Sequence, residues 1–290
     1  MLRVSTLICH RDVPLGLHCL DSLVKSVPGA SLVVHDDGTL TNEDVESLSK
    51  TLPVAEFVPR RRADELVHEA LRRYPACSRM RGENVLMLKL FDVALMSVDA
   101  DIRYCDTDVL FFRSTSDLLE RAPGEPAAVF MQDSNHAYSA RPWHLLRFPE
   151  LRLPGYLNSG LFMYRRDAFD LDYLEWLLSK DAIRTVFTRI AVWAEQTCWA
   201  ALAHRAGCGL WDAARIAVVD ARWRLDSRAV AAHFVSSSRY RHAEVLRQIA
   251  DADAPDPEPV KVPVIESREC SAFELGRSQM VRRLRRACGF

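Results

Sequence analysis

Short apolar runs alternate with longer stretches whose apolar residues recur at three- and four-residue spacing through the first half of the chain. Runs of this length bounded by turn residues, each followed by a helical period, are the signature of βαβ units. They predict an α/β domain with a mostly parallel central sheet flanked by helices. Residues 4–9, 31–35 and 54–58 are expected to be the first strands, and residues 14–25 a helix through Leu17, Leu20 and Leu23. Thr41 is placed to cap a helix running to Leu52, with Glu43 and Asp44 in the first turn, where the helix dipole favours negative charge. Residues 63–73 and 84–97 are expected to be helical, the second mostly apolar but carrying Lys89. A strand up to Asp106, a capped helix over 116–121 and a strand over 127–131 follow. The pattern loosens over 133–154, as in a surface excursion over an active site. It resumes with a strand at 159–164, helices at 171–178 and 191–203, and strands at 215–219 and 230–235. The prolines of Pro255-Asp256-Pro257-Glu258-Pro259 and Pro263 mark a linker. The expected organisation is one domain over 1–253, a linker over 254–266 and a basic amphipathic helix over 267–290, with Met280, Val281, Leu284 and Cys288 on an apolar stripe.

Within this pattern the segment Ile102-Arg103-Tyr104-Cys105-Asp106-Thr107-Asp108-Val109-Leu110-Phe111-Phe112 sets two carboxylates one residue apart at the end of an apolar run. Such a pair is unfavourable beside a buried strand unless a cation offsets it. A divalent ion with oxygen ligands is the simplest partner, which points to a metal-bound phosphate or diphosphate. Asp99 and Asp101 form a similar pair just upstream, but between a helix and a strand, where a solvated loop is the expectation. His10 and Asp36-Asp37 close the first and second strands, where the carboxyl ends of parallel strands gather a nucleotide. Asp-Asp-Gly at 36–38 is equally at home in a tight turn.

Composition narrows the field by exclusion. With 49% hydrophobic residues, 27% charged residues and a net charge of −1, nothing global draws the chain to nucleic acid or acidic lipid. No apolar run reaches the ~18 residues of a membrane span, and the first ten residues read as a strand instead of a signal helix. The eight cysteines are scattered without a C-x-x-C, so reduced core cysteines in a cytoplasmic protein are expected, not a zinc site or a disulfide framework.

The order of elements around Asp106 resembles the GT-A fold of nucleotide-sugar-dependent glycosyltransferases, and most closely glycosyltransferase family 8. Three further stretches are similar to that family's motifs, in the family's order. Asn158-Ser159-Gly160-Leu161-Phe162 resembles its N-A/S-G, Glu195-Gln196 its D/E-Q pair, and His233-Phe234-Val235-Ser236-Ser237-Ser238-Arg239 its late H-F-x-G-x-x-K. The resemblance spans residues 1 to about 241. It implies that Asp106, Asp108 and His233 hold Mn²⁺ or Mg²⁺, with manganese better suited to mixed oxygen and imidazole ligands. It implies a diphosphate contact from Arg239; Lys89, on the helix before the acidic pair, is a second candidate for the diphosphate, and His10, Asp36, Asp37 and Thr107 are candidates for the nucleotide. Asn158 and Gln196 would stand at the donor sugar, and Glu195 at the acceptor. The donor implied is a UDP-sugar and the acceptor a saccharide or glycolipid, with anomeric configuration retained by front-face attack. Arg239 replaces the family's lysine and Ser236 its glycine. The arginine-rich tail around its apolar stripe is also a candidate for peripheral contact with anionic lipid, or for folding back on the domain.

Three other readings compete. Asp36-Asp37-Gly38-Thr39 invites comparison with a D-x-D-G-T phosphatase, but the nucleophile's position is His35, and an imidazole cannot form the acyl phosphate. A sugar nucleotidyltransferase would carry a glycine-rich phosphate loop after the first strand, whereas His10-Arg11-Asp12-Val13-Pro14 has no glycine. A nucleotide-sugar-binding scaffold without catalysis is the non-enzymatic alternative.

Overall fold

A computed structural model describes residues 2–220, 222–250 and 258–287; for 236, 237, 249, 250 and 285–287 the description is of the backbone alone. The alternating pattern does become layers. Strands β1 (Leu2–Ile8), β2 (Ala30–Asp36), β3 (Val54–Val58) and β4 (Asp101–Cys105) join β6 (Ala128–Gln132), β7 (Leu157–Arg165), β8 (Cys208–Trp211) and β11 (Val264–Glu266) in one eight-stranded sheet of order β11-β8-β6-β7-β4-β1-β2-β3. Only β7 and β11 run against the rest. Strands β5 (Val109–Phe111), β9 (Ile216–Val218) and β10 (Ala231–His233) form a second sheet of order β5-β10-β9.

Helices α1 (Val13–Ser26), α2 (Asn42–Thr51), α3 (Arg60–Ala70), α4 (Pro75–Glu83) and α5 (Met87–Met96) fill the crossovers of the first half. Thr41 caps α2 as expected: its hydroxyl accepts the Asp44 amide at 3.2 Å, and the Asp44 carboxylate accepts the Thr41 amide at 2.8 Å. The second half carries α6 (Pro142–Arg147), α7 (Leu171–Leu178), α8 (Asp181–Arg189), α9 (Ala194–Ala206), α10 (His242–Ala250) and α11 (Ala272–Ala287). The sheet is buried on both faces. Ile102, Tyr104, Phe130 and Phe162 point into one core with Phe91 and Trp199, while Cys105, Val129, Leu161 and Met163 point into the other with Leu20 and Leu23. That period-2 split is what a strand imposes once both faces are covered.

Several expectations change. Residues 116–121 form no helix: Asp117 sits at φ 60°, a left-handed conformation that breaks a helical run, and Thr115 bridges to Val260. Asp101 is not in a solvated loop. It opens β4, is 9% exposed, and pairs with Arg121 at 2.9 Å and Arg103 at 3.6 Å. Of the expected linker, residues 254–257 lie outside the described residues, and Val264–Glu266 is β11, paired antiparallel to β8 on the main sheet. Helices α4, α8 and α10 and strand β8 were not expected. The last begins directly after Gly207, whose φ of 89° ends α9 and turns the chain back. The seven described cysteines are free, and Cys288 lies outside the described residues.

Candidate metal and diphosphate site

Sheet order fixes where a ligand can sit. From β1 the chain builds outward through β2 and β3 on one side, while β4 lies on the other, so the carboxyl ends of β1 and β4 flank a topological switch point, the usual ligand crevice of an α/β sheet. Asp106 follows β4 there. Because β7 is antiparallel to β4, its first residues lie beside the same end, and the Asp106 amide donates to the Gly160 carbonyl at 2.7 Å. His233 arrives from the second sheet, where it pairs with Val109 of β5, and the Phe234 amide donates to the Asp108 carbonyl at 2.8 Å.

These connections bring three expected ligands together. One donor atom each from Asp106, Asp108 and His233 lie within 4.8 Å of one another. His233 Nε2 is 2.9 Å from Asp108 Oδ1 and 3.7 Å from Asp106 Oδ2, inside the roughly 4.2 Å that two ligands at about 2.1 Å from one ion can span. The other ring nitrogen is held: Nδ1 lies 3.0 Å from Asn158 Oδ1, which also accepts the Gly160 amide at 2.9 Å. Since that oxygen is an acceptor, Nδ1 carries the proton and Nε2 turns to the carboxylates, the arrangement that second-sphere bonds impose on ligating histidines. The donor set therefore fits a hard divalent cation with oxygen and imidazole ligands.

Cations surround the two aspartates. Lys89 is 5% exposed, so it is not a solvated helix residue. Its Nζ donates to both Asp106 oxygens, at 3.1 and 3.0 Å, and to Ser159 Oγ at 3.3 Å, and it lies 4.5 Å from the centre of the Tyr104 ring. Burial pushes the Lys89 pKa down, but Asp106 and Glu195 outweigh it and keep the ammonium charged. Arg239 donates to Asp108 Oδ2 through Nε and Nη2, at 3.0 and 2.8 Å, and through Nη1 to Asp12 at 2.8 Å. Burial would raise the Asp108 pKa, yet His233 and Arg239 together hold it below the usual carboxylate range. The Ser236 side chain lies outside the described residues, so what replaces the family's glycine is left to its backbone turn, Ser236–Arg241.

Behind the ligands, α9 presents Glu195 and Gln196 in its first turn. Gln196 Oε1 accepts the Ser159 amide at 3.1 Å, and Nε2 donates to the Ala137 carbonyl at 2.9 Å. Glu195 accepts from Ser159 Oγ at 3.1 Å, its other oxygen has no hydrogen-bond partner among the described residues, and burial raises its pKa to about 7. The remaining expected residues are more peripheral. Thr107 turns into α1, with its Cβ 3.4 Å from where a Cβ on Gly16 would stand. Asp36 Oδ1 accepts the amides of Gly38, Thr39 and Leu40, and Asp37 Oδ1 accepts from Thr39, so both shape the turn. The His10 side chain is 60% exposed and 2.7 Å from Asp44, while its amide donates to Thr39.

Two residues join the site without a sequence signal. Asp133, from the loose segment, accepts from Asn158 Nδ2 at 3.0 Å, and burial raises its pKa. Asp12 ties the end of β1 to Arg239. A lone carboxylate in an irregular stretch has no spacing to reveal it.

No protein-family model matches the chain, and no curated protein does. Solved structures do resemble it. Mouse xyloside xylosyltransferase 1 in its apo form is 12% identical with a TM-score of 0.50, over 82% of this chain and 98% of that one. The galactosyltransferase LgtC, in complex with donor and acceptor sugar analogues, is 10% identical with a TM-score of 0.51, over 87% and 98%. The apo-form glycosyltransferase GlyE of Streptococcus pneumoniae is 9% identical with a TM-score of 0.54, over 87% and 60%. At such identities the likeness fixes the architecture and nothing finer: the chain has the α/β fold of the GT-A glycosyltransferases.

Proposed function

We propose that the protein is a metal-dependent glycosyltransferase that moves a sugar from a nucleotide-sugar, a UDP-sugar in the family-8 manner, to a saccharide or lipid-linked acceptor with retention. The observation that carries this reading is the convergence of Asp106, Asp108 and His233 at the switch point, with Lys89 and Arg239 beside them. Mn²⁺ held there would act as a Lewis acid on the departing diphosphate. The chain's own part is to set the geometry. Asn158 fixes the His233 ring, Arg239 and Lys89 place positive charge where the leaving group becomes more negative, and Gln196 and Ser159 brace each other at the floor. His10, Asp36, Asp37 and Thr107 belong to the nucleotide side of this reading, and Glu195 to the acceptor side. We place the protein in the cytoplasm.

The test is thermal stabilisation by UDP. With Mn²⁺ and UDP together the Tm is expected to rise by about 5 °C, and with UDP alone to stay put. Asp108→Asn should keep the fold, lose the metal-dependent shift, and lower metal-dependent hydrolysis across a nucleotide-sugar panel by at least about a hundredfold. Wild-type behaviour in that variant would refute the assignment, and a UDP shift without hydrolysis or transfer would favour the binding scaffold. The anomer of the product, read by NMR, tests retention; inversion would move the general base to Glu195, whose carboxyl titrates near neutrality.

The reading extends to peripheral contact with anionic lipid. No helix among the described residues is long and apolar enough to cross a membrane. On α11 and α6, however, Phe273, Met280, Leu284 and Leu146 are exposed among Arg277 and Arg147. Met280→Glu with Leu284→Glu is expected to cut pelleting with anionic vesicles; unchanged pelleting removes this part of the proposal.

A further inference from the structure

A carboxylate in a metal site has two oxygens, and which of them faces the ion is set by what holds the other. On Asp108 the division is plain: Arg239 takes Oδ2 through Nε and Nη2, at 3.0 and 2.8 Å, and Oδ1 turns to His233 Nε2 at 2.9 Å. Asp106 has its backbone held on both sides, the amide donating to the Gly160 carbonyl and the carbonyl accepting the Val109 amide at 3.4 Å. Its side chain needs a further constraint. Lys89 does not supply one, because Nζ straddles the two oxygens at 3.1 and 3.0 Å and an ammonium is a point charge with rotatable donors. It gives Asp106 a counter-charge without a direction.

Tyr104 gives the direction. Its hydroxyl donates to Asp106 Oδ1 at 2.8 Å, while Oδ2 stays on the side of His233, 3.7 Å from Nε2. Strand β1 decides where that proton points: the Leu7 amide donates to the same phenol oxygen at 3.3 Å, and a phenol, protonated at neutral pH, is left with its one proton for the carboxylate. Strands β1 and β4 are in register at Ser5 and Tyr104, and beyond that point the Leu7 amide meets the tyrosine hydroxyl in place of a β4 carbonyl. The hydroxyl therefore sits where the two strand ends part, at the switch point itself. Its ring is 1% exposed, stacked on Phe162 with 5.3 Å between centroids, and Lys89 Nζ lies 4.5 Å from its centre, so the oxygen has little freedom to turn elsewhere.

We infer, on the metal-dependent glycosyltransferase reading, that Tyr104 is a positioning residue of the metal site: it keeps Asp106 Oδ1 for itself and presents Oδ2 to the ion, as Arg239 does for Asp108. One oxygen of each aspartate and His233 Nε2 then face a common point, and the other two oxygens are out of competition for it. The strand period makes this possible. Ile102 and Tyr104 share one face of β4, and Asp106 is the next residue on that side, where β4 has ended and its carboxylate can bend back over the tyrosine hydroxyl.

Calorimetry of Mn²⁺ binding to the full chain in the presence of UDP tests it, with Tyr104→Phe set against Tyr164→Phe. Phenylalanine at 104 keeps the ring and its stack on Phe162 and loses the hydroxyl. Tyr164 is as deeply buried, on β7, and donates to the Ala168 carbonyl at 2.8 Å, so its variant measures what a lost buried hydroxyl does away from the site. Tyr104→Phe is expected to bind Mn²⁺ at least about tenfold more weakly and to change the electron paramagnetic resonance spectrum of the bound ion; Tyr164→Phe should lower the urea midpoint and match the parent in both metal readouts. Unchanged affinity in Tyr104→Phe, or weaker affinity with the parent's spectrum, overturns the positioning role and leaves the glycosyltransferase reading standing. Equal weakening by both substitutions, or a Tyr104→Phe chain that the urea curves show unfolded in buffer, also overturns it, because the hydroxyl is then part of the packing. A parent chain that binds no Mn²⁺ with UDP removes the metal-dependent reading, and the role of Tyr104 with it.

Discussion

At Gly160 the missing side chain decides how His233 lies. A Cβ there would stand 2.4 Å from both Cε1 and Nδ1 of the imidazole, far inside any real contact, and the ring edge has no flexible end to give way. Gly160→Ala is therefore expected to push His233 off Asn158. That should weaken Mn²⁺-dependent UDP binding about ten- to a hundredfold and cost roughly 1–3 kcal/mol of stability, read by metal titration and urea unfolding. Unaltered metal dependence would remove His233 from the ligand set. Glu195 gives a second residue-scale outcome. Its folded pKa, about 7, lies above the unfolded value of 4.5. Below pH 4.5 the carboxyl is neutral in both states; between 4.5 and 7 the unfolded chain ionises while the folded one keeps the proton, so stability falls as pH rises. Glu195→Gln should remove that slope, gaining on the parent by about 3 kcal/mol at pH 7.5 relative to pH 4.5 in paired unfolding curves.

Among the elements, the C-terminal part is tied to the domain through both β11 and α11. Prolines and charges read as a linker followed by a basic helix that either meets lipid or folds back on the domain; here β11 extends the main sheet, the Cys270 amide donates to the Leu153 carbonyl, and Leu275 of α11 is fully buried in the larger core. Only one face of α11 is used that way, which a short amphipathic period cannot distinguish from a lipid-facing stripe. A chain ending after residue 250 is expected to lose on the order of 5 kcal/mol of apolar burial and about 10 °C in Tm, and to expose the β8 edge to association. Unchanged melting and solubility would restore the tail reading. The opposite error occurs at 116–121, where a cap-like Ser116-Asp117 precedes leucines but Asp117 takes a left-handed conformation. Local pattern proposes a helix there, and the pairing of Thr115 with Val260 excludes it.

For the molecule as a whole, acid stability depends on imidazoles the site does not use. His35, 3% exposed on β2, and His144 on α6 are both pushed down to about 4, His35 by burial and His144 by burial and then Arg141 and Arg147. Above pH 6.5 both are neutral folded or unfolded. As pH falls from 6.5 to 4 the unfolded chain takes up protons that the folded one refuses, so each costs about 3 kcal/mol by the end of that window. Glu195 has the opposite slope over part of the range, so the measurement is a difference: His35→Leu should melt closer to its own neutral-pH Tm at pH 4.5 than the parent does, and an equal acid loss in both would count against the buried imidazole. The sequence by itself determined the period of each strand and most helices of the first half, the acidic pair at the end of β4, and the four motifs in their order. Those are local facts, written in spacing and in the chemistry of neighbouring residues. Tertiary structure alone decided that Lys89 is buried on Asp106 instead of solvated, that Asp12 and Asp133 join the site, and that Asn158 spends its carbonyl on His233. Each of these depends on strand order and on helices meeting across the fold, and residues from 17 to 227 positions apart acquire a common chemistry only when the chain has closed around them.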